Sequence, residues 1–91
     1  MPAFLIVKQI QSGEYEKITT TLVCADSEQQ ACEGALLGEC HSGLGEGADW
    51  LEEGQQIEDL YGEFIYTLYS VKLVPDKDLE VLSKYMDTHH V

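Results

Sequence analysis

Residues 64–74, Phe64-Ile65-Tyr66-Thr67-Leu68-Tyr69-Ser70-Val71-Lys72-Leu73-Val74, decide the fold class. β-Branched and aromatic residues fill the run, and apolar side chains fall on both of its alternating faces. A strand covered on both sides lies inside a sheet, so the reading places Glu63 to Val74 centrally. Pro75 ends the strand, and Asp76 is expected to cap a final helix with Leu79, Leu82, Tyr85 and Met86 as its inward stripe. The tail from Asp87 to Val91 is expected to fray.

The partners of that strand are sought toward the N-terminus. Ala3 to Ile10 is apolar enough for a strand with much of both faces covered. Gln11-Ser12-Gly13-Glu14 reads as a turn, and Tyr15 to Cys24 alternates, with Ile18, Leu22 and Cys24 on one face. The two runs form a hairpin. Asp26 or Ser27 can cap a helix, and Ser27 with Gln30 matches a capping box; the helix should run to about Cys40 with Cys32, Ala35, Leu36 and Cys40 as its stripe. Gly34 and Gly38 each cost about 1 kcal/mol against alanine inside a helix, so another backbone should pass close to them. Residues 41–56 carry four glycines and read as a long loop, with a helical turn from Asp49 to Glu53 ended by Gly54. Ile57 to Leu60 reads as a short strand. The expected architecture is a single α+β domain over residues 1–91, an antiparallel sheet of three to four strands with two helices on one face, in the order ββα(β)βα.

Charge is the most informative part of the composition. The 91 residues hold 17 acids and 5 basic residues, all lysines, for a net charge of −12. Between Lys17 and Lys72 the chain has eleven acids and no positive side chain. Such a surface repels nucleic acid and anionic membranes, so direct binding to either is not expected. With 44% apolar residues the chain can build a core, and no run approaches the roughly 18 apolar residues of a membrane span. Its first residues lack the basic start of a secretion signal, so a soluble cytoplasmic protein is expected.

No catalytic or metal-binding signature emerges, and neither a cofactor nor enzymatic activity is expected. Cys24, Cys32 and Cys40 are spaced by eight residues, and on one helix that spacing advances about 12 Å, too far for a shared metal or a disulfide. They read as small core residues. Cys40-His41 is the only adjacent thiol and imidazole, but a helix C-terminus raises a thiol pKa rather than lowering it. Gly43-Leu44-Gly45-Glu46-Gly47 lacks the lysine and the flanking elements of a phosphate loop. His89-His90 lies in the expected tail.

What remains is an acidic surface with an aromatic anchor. Glu46, Asp49, Trp50, Glu52, Glu53, Glu58 and Asp59 form the candidate partner-binding set, in which Trp50 either caps the core or anchors a partner while the acids steer it. The leading reading is a non-enzymatic inhibitor that docks on a positively charged, nucleic-acid-binding site of another protein, such as a nuclease, by imitating nucleic acid. In size, acidity and lack of catalytic residues the chain resembles the small anti-CRISPR and anti-restriction inhibitors of phages and mobile elements. The rival is a regulatory or structural subunit bound through an apolar surface such as that around Tyr61, Tyr66 and Tyr69, or through an exposed sheet edge. A homodimer is compatible with either.

Overall fold

The computed structural model describes the whole chain, Met1–Val91. The first hairpin is β1 (Ala3–Ser12) and β2 (Tyr15–Cys24), paired in register from Ala3↔Cys24 to Ser12↔Tyr15. Gly13, at φ +60°, takes the first central position of its two-residue turn, where a left-handed residue matches the strand twist. Helix α1 (Glu28–Glu39) follows, with Ser27 Oγ accepting from the Gln30 amide at 3.1 Å as its N-cap. Then come β3 (Gly43–Leu44), β4 (Gly47–Glu52), β5 (Gln56–Asp59), β6 (Phe64–Val74), α2 (Asp76–Leu82) and β7 (Thr88–His90). The run that opened the sequence reading is β6, and it lies between β5 and β1.

The expected sheet of three to four antiparallel strands is overturned. All seven strands form one mixed, strongly curled sheet in the order β3-β4-β5-β6-β1-β2-β7. Its two outermost pairs, β3 with β4 and β2 with β7, are parallel. Much of the segment expected to be a loop is extended, because β5 pairs with β6 and brings β4 alongside, and ladder hydrogen bonds outweigh the weak strand propensity of glycine and acids. The helical turn expected from Asp49 to Glu53 is instead the end of β4 running into a β-turn, closed by Gln55 N–H to the Glu52 carbonyl at 2.9 Å with Gly54 left-handed at φ +72°. The tail does not fray. Thr88–His90 pairs with Leu22–Cys24, and the Val91 amide donates to the Cys24 carbonyl at 3.0 Å. Gly34 makes room for the Val91 side chain of that tail rather than for a backbone, and a Cβ at Gly38 would meet only His89 Nε2 at 3.9 Å, an ordinary contact.

The helices lie on opposite faces of the sheet, a second correction. Phe4, Ile6, Lys8 and Ile10 of β1 alternate onto the face covered by α1, joined by Val23 and the helix residues Ala31, Cys32 and Ala35. Ala3, Leu22, Cys24 and Val74 turn the other way, onto Leu79, Leu82 and Met86 of α2 and the segment after it. Asp76 lies in the first turn of α2 rather than capping it, because Pro75 is the N-cap residue, and Tyr85 is exposed. A β-bulge keeps the α1 face continuous along β6: Val7 pairs with Ser70 but Lys8 with Leu68, so Tyr69 is extra. Val71 and Leu68 thereby both face α1. Burial of side chains such as Ile6, Leu22 and Leu36 contributes about 1.5–3 kcal/mol each. No helix is long and apolar enough to cross a membrane.

Candidate functional site

The β4–β5 hairpin carries most of the candidate set. Asp49 and Glu58 are direct cross-strand partners, as are Trp50 and Ile57, and Glu52 and Gln56. Alternation splits these residues between two faces. Trp50 follows Ala48 and Ile57 onto the α1 face, where it packs half-buried against the core of Leu36, Ala48, Ile57 and Tyr66. Its apolar body completes that core, so the single tryptophan is chiefly a packing residue.

Asp49 and Glu58 occupy the opposite face, which α2 does not reach at this end of the sheet. Like charges directly opposed across strands destabilise a sheet, and no lysine approaches this pair. Glu52 and Glu53 stand at the turn end of the hairpin, where Glu53 shares a surface hollow with Glu28 of α1. Glu46 stands at the other end, in the exposed turn before β4. These acids therefore form a band along the hairpin. The only ion pair in the molecule is Lys8 with Glu39, which takes one of the five cations into the core. Removing Lys8, Glu39 and the buried Asp59 from the count leaves fifteen acids against four lysines at solvent-accessible positions.

Asp59 is not part of that band. The pairing Asp59↔Phe64 and its alternation with Ile57 turn its side chain onto the α1 face, where it is fully buried. Its Oδ2 accepts from the His41 amide at 2.8 Å and the Tyr66 hydroxyl at 2.9 Å; its Oδ1 accepts from the Ser42 amide at 3.0 Å and the Leu60 amide at 2.9 Å. Burial opposes ionisation, but the hydrogen bonds from His41, Tyr66 and Ser42 outweigh it and hold the carboxyl below its ordinary value. The Tyr66 phenol is pushed up by burial and by that carboxylate. Asp59 thus ties the end of α1 to β5 and β6.

Cys40-His41-Ser42 works through its main chain rather than as a nucleophile. Burial, then Asp59 and Glu39, push the Cys40 thiol up to about 11, and its Sγ rests on the Leu36 carbonyl. A thiol so raised is a poor source of thiolate. Cys24 and Cys32 are buried free thiols, and Cys32 is also raised by burial and by Glu28 and Glu33.

Tyr61, expected only as part of an apolar surface, sits beside the acidic hairpin on backbone that the sequence does not announce. Leu60 and Tyr61 both take left-handed backbone, at φ 51° and 57°, in the turn between β5 and β6. The Leu60 amide on Asp59 and the Tyr61 amide on the Gly47 carbonyl, at 2.9 Å, hold them there. Tyr61 is 86% exposed beside Gly47, next to Glu46. Held strain of this kind clusters at functional positions. Tyr61→Gly should raise the unfolding free energy by about 1 kcal/mol in a denaturant titration, because glycine adopts this backbone without Cβ strain. An unchanged or lowered stability would mean that the ring packs in the folded state. Of the three tyrosines of the apolar-surface reading, Tyr66 is buried, whereas Tyr61 and Tyr69 are exposed.

Comparison with protein families, with curated proteins and with solved structures finds no significant match for the chain.

Proposed function

We propose that this chain is a non-enzymatic binding protein whose acidic β4–β5 hairpin docks on a positively charged, nucleic-acid-binding site of another protein and inhibits by occupying it. The observation that carries the reading is the in-register pair Asp49 and Glu58, held side by side with no cation of the chain to offset their repulsion. A basic partner relieves that repulsion on binding, and the relief contributes to affinity and steering. Neighbouring strands lie about 4.8 Å apart, so carboxylates on this band fall at spacings on the scale of backbone phosphates. Such a surface fills a groove lined by lysine or arginine without offering a bond to cleave. Glu46, Asp49, Glu52, Glu53 and Glu58 supply the charge, and Tyr61 at the rim supplies the aromatic anchor in place of Trp50. Asp59 acts only by holding the turn that presents Tyr61.

The test is the combined variant Asp49→Lys, Glu52→Lys and Glu53→Lys. Proteins captured by the native chain from lysate of its source cell should elute at about 0.5 M salt, where screening is strong, and in competition with duplex DNA. The variant should capture at least tenfold less of them while its circular dichroism is unchanged. A partner that survives the salt wash, or that binds the variant equally well, overturns the reading in favour of an apolar interface.

A further inference from the structure

β2 presents a long open edge. β7 covers β2 only at Leu22–Cys24, so Tyr15–Thr21 has β1 on one side and nothing on the other. The Cys24 carbonyl points outward to the Val91 amide, and the alternation of an antiparallel ladder then turns the amides and carbonyls of Thr20, Ile18 and Glu16 outward as well. These six main-chain groups are open to a further strand. The opposite margin of the sheet, β3, is two residues long, while β6 is open beyond β5 along Tyr69–Val74, where its one charge is Lys72.

We propose that this edge is the interface of a homodimer in which β2 pairs antiparallel with β2 of a second copy about a two-fold axis at Ile18. Charge is the first argument. The molecule carries −12, yet Tyr15–Thr21 holds one Glu16 and one Lys17 and is neutral, so two copies approach here at little electrostatic cost. Register is the second. A two-fold axis at Glu16 opposes two carboxylates, one at Lys17 opposes two ammonium groups, and one at Thr19 drives Glu16 against Leu22, where β7 already sits. The axis at Ile18 alone opposes no like charges and uses all seven free residues: Tyr15 meets Thr21, Glu16 meets Thr20, and Lys17 meets Thr19. Ile18, 51% exposed in the monomer, then lies beside its own copy. Thr19 Oγ1, the one buried side-chain polar atom without a hydrogen-bond partner, comes opposite Lys17 of the second copy. The product is a continuous sheet of twice seven strands.

The dimer has a salt response opposite in sign to that of the acidic docking face. Two copies of like charge repel, so added salt should tighten the dimer about tenfold between 50 mM and 0.5 M, whereas it releases a basic partner. Sedimentation equilibrium of the purified chain should show a mass of twice 10.2 kDa appearing with concentration and promoted by salt. Register is tested at exposed Thr20. Thr20→Glu sets a carboxylate against Glu16 of the second copy twice over and should weaken dimerisation about tenfold, whereas Thr20→Lys should strengthen it severalfold. Ser83→Glu and Ser83→Lys carry the same net charges away from the edge and should shift it far less. A chain that stays monomeric at 0.5 mM in 0.5 M salt overturns the proposal, as does a dimer on which the two Thr20 variants act alike. Because the salt responses are opposite, failure of the dimer and failure of the docking reading are separate results.

Discussion

Asp59→Ala is expected to lower the unfolding free energy by about 4 kcal/mol, enough to leave a domain of this size largely unfolded at moderate temperature. The loss comes from the donors left behind. His41, Ser42 and Leu60 amides and the Tyr66 hydroxyl converge on the one buried carboxylate, and alanine leaves all four without their acceptor. Tyr66→Phe removes one of the four donors and leaves the carboxylate with three, so it should cost about 1 kcal/mol. Asp59→Asn should fall between, because its carbonyl still accepts while its amide group turns donors toward donors. Acid titration supplies a second readout. The carboxyl is held below its unfolded value, so its contribution is complete above about pH 4 and is lost as pH falls through the lowered folded value. Urea titrations at descending pH should show that loss in the native chain and lack it in Asp59→Asn. Equal acid sensitivity of the two would assign the acid transition to other carboxylates.

Glu39→Ala should destabilise by about 3 kcal/mol, whereas Lys8→Met should be close to neutral. The asymmetry follows from where the two charges sit. Lys8 is completely buried beneath α1, its ammonium 3.1 Å from Glu39 Oε1 and donating to Thr21 Oγ1, whereas the Glu39 side chain is 31% exposed. Without Glu39 a buried ammonium keeps only a hydroxyl partner and bears most of its desolvation cost. Without Lys8 the carboxylate turns to water, and methionine fills a similar volume among Ile6, Ile10 and Thr21. Denaturant midpoints of the two variants against the native chain decide the point. Equal losses would show that the ammonium packs through its stem and that the ion pair contributes little.

Both buried charges were legible in the alternation of their strands. Lys8 lies between Ile6 and Ile10, and Asp59 two residues from Ile57, so period two already assigns each to an inward face. Counting charge along the chain, without regard to face, instead put Asp59 with the surface acids. The two long hairpin strands, the helix opened by Ser27 and the central position of β6 followed from apolar patterning and turn residues that act locally. β4 and β7 were not legible in that way. Their residues are glycine-rich, acidic or polar, and they are extended because β5 and β2 present open edges to them, a tertiary effect that no window of sequence contains. The docking band was legible as charge but not as geometry, since only the pairing of β4 with β5 sets Asp49 beside Glu58. Tyr61 was legible as a surface aromatic but its presentation was not, because nothing in Leu60-Tyr61 announces left-handed backbone, which asparagine or glycine would have done.

β1 gains its two neighbours on very different clocks. Its hairpin with β2 closes over two residues, an event of microseconds, whereas Ala3 meets Val74 across seventy-one residues of chain. Loop-closure entropy must be met before that second ladder returns any free energy, so the docking of β6 sets the folding rate and places the chain among slow, high-contact-order folders. Until β6 arrives, the apolar flank of β1 is an unfilled slot that β6 of another molecule fits equally well. Strand exchange during refolding at high concentration is the misassembly this topology favours, and dilution is its remedy.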